Sequence, residues 1–105
     1  MEMDLSLLKE PWVSVTPQEA RSLVQELHRE IVSIHPIFGK SVEALARRKD
    51  CDHVLFRVND HFAVVHLTWT GVREKNGKYP RTEWYESWAL FVSERMSEDS
   101  IDYGS

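Results

Sequence analysis

A chain of 105 residues, 42% hydrophobic and 29% charged, has room for one core and one domain. One cysteine excludes an internal disulfide framework, and four glycines and four prolines exclude collagen-like and low-complexity chains. The net charge of −4 is uneven: residues 1–39 hold three basic and six acidic side chains, residues 40–82 nine and five, and residues 83–105 one and six.

The opening Met-Glu-Met-Asp lacks the basic-then-apolar layout of a signal peptide, and no apolar run is long enough to span a membrane. A soluble, cytoplasmic protein is therefore expected. In residues 1–15, Leu5, Leu7, Leu8, Trp12, Val13 and Val15 are too apolar to stand in water, so this arm should pack on the body. Thr16-Pro17-Gln18-Glu19 has the pattern of a capping box, with proline at the first helical position. Behind it Ala20, Val24, Leu27, Ile31 and Ile34 recur at steps of four and three, widened by Leu23. This spacing predicts an amphipathic helix to about Ile34, ended by His35-Pro36.

Residues 42–48 are helix-prone in composition but short, and the next segment needs a neighbour, so they read as a strand. His53–Val58 and Phe62–Thr70 are rich in β-branched and aromatic residues and flank the turn pair Asn59-Asp60. A two-residue turn there pairs Val58 with His61. One face then holds Val54, Phe56, Val58, Ala63, Val65, Leu67 and Trp69 as core; the other holds His53, Leu55, Arg57, Phe62, Val64, His66 and Thr68. Residues 71–81 read as a basic loop with a turn at Asn76-Gly77, Thr82 as the cap of a helix to about Ser97, and residues 98–105 as a frayed acidic tail. The expected fold is an α+β two-layer sandwich: a three-stranded antiparallel meander with the N- and C-terminal helices on one sheet face.

No Ser-His-Asp order, glycine-rich phosphate loop or cysteine-pair metal motif is present, so no catalytic group is assigned. His53 and His66 fall opposite each other in the predicted hairpin, with Cβ atoms about 4.5–5.5 Å apart, close enough to share a metal such as zinc. Glu43 or Arg57 would assist such a centre. Cys51 stands between Asp50 and Asp52, whose charge opposes thiolate formation. Two surfaces read as partner-binding. The first is the mixed sheet face with Leu55, Phe62 and Val64, too apolar to be left open. The second joins Arg73, Lys75, Lys78 and Arg81 to Trp84 and Trp88, residue types enriched at binding hot spots. The leading expectation is a small interaction module, a homodimer or partner-binding subunit. A metal protein or small enzyme at His53 and His66 is the alternative, and single-stranded nucleic acid at the basic and aromatic loop is a third, which the acidic ends disfavour.

Overall fold

The structure is a computed structural model that describes residues 5–69 and 80–104. A 3-10 turn (Leu5–Leu7) leads into β1 (Trp12–Ser14), α1 (Pro17–Glu30), β2 (Val42–Arg48), β3 (His53–Val58), β4 (His61–His66) and β5 (Arg81–Tyr85). The chain ends in α2 (Trp88–Leu90), a π-helical stretch (Phe91–Met96) and α3 (Ser97–Gly104). The sheet is antiparallel and five-stranded in the order β1-β2-β3-β4-β5. The α+β class is as expected, and the sheet gains a strand at each edge.

Thr16 caps α1 with both halves of its box: its hydroxyl accepts from Glu19 N–H at 3.1 Å, and the Glu19 carboxylate accepts from Thr16 N–H at 3.0 Å. The helix stops at Glu30, four residues short of the expected end, because Ile31 turns to extended backbone and Pro36 opposes helix at His35. Ile34 is consequently exposed, and Ile37 takes a core position in its place. The hairpin has the expected register, with Val58 opposite His61 and His53 opposite His66. Asn59, with φ of 53°, supplies the left-handed residue that a tight two-residue turn needs.

The sheet is covered on both faces. Beneath α1, Leu23, Leu27 and Ile31 pack with Ile37, Ala44, Val54, Phe56, Val58, Ala63, Val65 and Leu67. On the other face Trp12, Leu45, Ala46, Leu55, Phe62 and Val64 pack with Trp88, Phe91 and Met96 of the C-terminal helical stretch. A bulge in β2 between Ala44 and Ala46 turns both Leu45 and Ala46 toward this second cluster. The helices thus lie on opposite faces, which corrects the two-layer arrangement. The reason is apolar area: a face with Leu55, Phe62 and Val64 needs its own cover, and Trp88, Phe91 and Met96 provide it.

The last helix also starts later than expected. Arg81–Tyr85 pairs with β4 as a strand, Phe62 opposite Tyr85 and His66 opposite Arg81. The Thr82 hydroxyl donates to Pro80 C=O at 3.1 Å instead of capping a helix, and Ser87 is the cap, accepting from Leu90 N–H at 3.1 Å. Residues 98–104, read as a tail, are helical and bury Asp99. Among the described residues, no helix is long and apolar enough to cross a membrane.

Candidate functional site

Leu55, Phe62 and Val64 are buried beneath the C-terminal helical stretch, and Trp88 is buried with them. They form a core and offer no docking face, which corrects their reading as a partner surface. Arg73, Lys75 and Lys78 lie outside the described residues. Of that expected aromatic and basic surface, Arg81 and Trp84 remain, both exposed on β5.

His53 and His66 do meet, with ring centroids 4.8 Å apart and planes nearly perpendicular, an edge-to-face contact. The His53 Nδ1 faces an Arg95 terminal nitrogen at 3.2 Å. A guanidinium can only donate, so Nδ1 accepts, and Nε2 carries the proton of the neutral ring. Burial holds the His53 pKa below its ordinary value, and the charges of Arg95, His66 and Arg48 act the same way. Arg95 itself is clamped by Asp99 at 2.9 Å and Glu83 at 2.8 Å, and Asp99 also accepts from the Trp12 indole at 2.8 Å. Arg48 completes the cluster at 3.3 Å from Asp99. This network ties the end of the helical stretch to β1, β2, β3 and β5. A divalent cation at His53 would meet the Arg95 charge, and no group of three metal-ligating side chains occurs among the described residues. Glu43 stands on β2 opposite Arg57, at the end of β3 away from His53, and pairs with Arg57 at 2.8 Å.

The β5 edge is a different surface. The turn after α1 is tied to it by His35, whose Nε2 donates to Pro80 C=O at 3.1 Å while Nδ1 accepts from Ile37 N–H at 3.1 Å. Burial lowers the His35 pKa, against a smaller opposing effect of the Pro80 hydrogen bond. This turn exposes Ile34 (66%) and Phe38 (51%), and β5 exposes Trp84 (40%). The Lys40 ammonium sits 5.4 Å from the Trp84 ring centroid.

A third feature starts from the last residue of α1. Glu30, buried at 1% exposure, accepts from Thr68 N–H at 2.8 Å and Trp69 N–H at 2.9 Å. These amides have left the β-ladder, and Trp69 takes φ of 58°. Its indole therefore leaves the core face expected for it and stands half exposed, lining a cleft of about 440 Å³ with residues of α1 and β2 and with Cys51. Cys51 is exposed, and neighbouring Asp50 is engaged by Arg48 at 2.9 and 2.7 Å.

No family model, no curated protein and no solved structure matches this chain. The functional reading therefore rests on the residues themselves. Sequence reasoning placed Glu30 on the polar face of its helix and Asp99 in a frayed tail, and it passed over Arg95; all three are buried. The available signal was position: Glu30 falls on the same helical face as Leu23 and Leu27, three residues beyond the latter.

Proposed function

We propose that this chain is a small protein-interaction module that docks through β5 and the adjoining turn, and that its partner is a second copy of itself. The observation that carries this reading is the coincidence of exposed Trp84, Phe38 and Ile34 at one edge of the sheet. Apolar groups exposed singly are ordinary, but aromatic groups brought to one edge, where a buried histidine ties the turn to Pro80, favour docking. The charge pattern supports a like partner. Antiparallel pairing of two β5 strands about Thr82 brings Arg81 of one copy opposite Glu83 of the other, twice over, as a two-fold interface requires.

Sedimentation velocity across a wide concentration range tests the proposal. Wild type is expected to dimerise, and Trp84→Glu combined with Phe38→Glu to be monomeric with an unchanged circular dichroism spectrum. A monomeric wild type, or a double variant that still dimerises, overturns it.

A further inference from the structure

The cleft beneath Trp69 has features that the sheet's stability does not call for. A bulky residue at positive φ is disfavoured by roughly 1–2 kcal/mol, and a glycine would sit there without that cost. The strain is imposed from outside the loop: Glu30 holds both amides, at 2.8 and 2.9 Å, from a fully buried position on α1. The result is an aromatic plate fixed in the open, at 48% exposure, and aimed away from a core that would have sheltered it. Strained backbone of this kind clusters at binding sites, where neighbouring structure over-determines it.

The remaining walls give the occupant its chemistry. Leu23 and Val54 make an apolar floor. The polar rim is mixed and sums to no net charge: Arg47 and Arg48 against Glu19 and Asp52, with the Gln18 amide able to donate and accept. Arg47 meets Glu19 through Nε at 3.0 Å, and a guanidinium carries further N–H donors beyond that one. A rim of this kind does not select an anion. It suits a neutral flat ring with donors and acceptors on its edge. The volume of about 440 Å³ lies within the range of small-molecule sites.

We propose that this cleft binds a free nucleobase or nucleoside, stacked on the Trp69 indole with its polar edge toward Arg47, Glu19 and Gln18. The geometry is independent of the β5 edge, so either proposal stands without the other. Base-on-aromatic stacking is sequence-tolerant, and discrimination among bases falls to the rim.

The test titrates the intact chain with adenosine, guanosine, cytidine and uridine, followed by saturation-transfer NMR and by the alkylation rate of Cys51. This thiol lines the cleft and is the only cysteine, so it reports occupancy directly. At least one nucleoside is expected to bind saturably and to slow alkylation. Trp69→Gly suits the local backbone and should weaken binding about five- to a hundredfold, the range for loss of one stacking platform. Gln18→Ala, on the exposed side of α1, should change which nucleoside binds best, and Trp84→Ala should change nothing. A single-stranded oligonucleotide that binds far more tightly than any nucleoside would reassign the site to a nucleic-acid strand and overturn the free-ligand proposal. So would absence of saturable binding by all four, or binding indifferent to Trp69→Gly.

Discussion

Removing the Glu30 carboxylate tests how the Trp69 loop is held. In Glu30→Ala, the amides of Thr68 and Trp69 lose the acceptors they meet at 2.8 and 2.9 Å. Each buried donor left unsatisfied costs about 1–3 kcal/mol, and the lost methylene adds roughly 0.8 kcal/mol. The expected destabilisation is about 3–7 kcal/mol if the loop cannot reach water, and the lower end if it can. Glu30→Gln keeps one oxygen and turns an NH₂ toward the second amide, so it should fall between Ala and wild type. Urea unfolding followed by far-UV circular dichroism reads all three chains, with equal m values as the check on two-state behaviour. Trp69→Gly sharpens the argument: it removes left-handed strain worth about 1–2 kcal/mol in wild type. It should remove much less in the Glu30→Ala background, where nothing holds the strain in place. The two changes should therefore couple by at least about 0.5 kcal/mol. A Glu30→Ala variant within about 0.5 kcal/mol of wild type, the ordinary range of surface substitutions, would refute the account.

Stability should fall as pH drops below about 6.5. His35 and His53 both have folded pKa values lowered from 6.5, chiefly by burial, so the unfolded chain binds more protons in that window and gains on acidification. Urea midpoints compared near pH 7.5 and 5.5 should show this loss, and His35→Gln should reduce it; a flat profile would contradict the assignment of neutral rings. Leu55→Ala, at a position with no exposure, should destabilise by about 2–5 kcal/mol in chemical denaturation, as a core truncation does; a surface residue would lose far less. Trp12→Phe removes the 2.8 Å hydrogen bond to Asp99, a charged and buried acceptor, and should lower stability by roughly 1.5–3 kcal/mol in thermal or urea melts.

The parts of the fold legible in the sequence are those governed by local rules. The capping box at Thr16 and the Asn59-Asp60 turn each act within a few residues, and both appear where their patterns place them. The strand at residues 42–48 was legible for a different reason: its composition favours helix, but a central hairpin needs a paired neighbour. Less legible was anything decided by distant contacts. Arg81–Tyr85 carries threonine, tryptophan and tyrosine, which suit a strand as well as a helix start, and only pairing with β4 decides between them. The apolar face of Leu55, Phe62 and Val64 was correctly read as needing cover. The sequence does not say whether that cover is another chain or residues 88–96 of the same one, and the helical stretch supplies it.

The same division explains why the candidate sites escaped the pattern. Trp69 continues the two-residue alternation of β4, and alternation alone assigns its ring to the core. What redirects it is a carboxylate 39 positions away that captures the amide and breaks the ladder. Stability alone would favour either a longer β4 with the indole buried or a glycine at the left-handed position. The chain has neither, and it buries an ionisable residue to maintain the exception. A local rule broken by a dedicated, buried partner is the kind of departure expected where structure serves binding. The β5 edge lacks such a departure: its exposed aromatic ring follows from ordinary strand geometry, and what distinguishes it is the company of Phe38 and Ile34 and self-complementary charge. The Trp69 cleft is therefore the more specific of the two surfaces, and Trp69→Gly separates them. It should weaken binding in the cleft and relieve the left-handed strain while leaving the behaviour of the Trp84 edge unchanged.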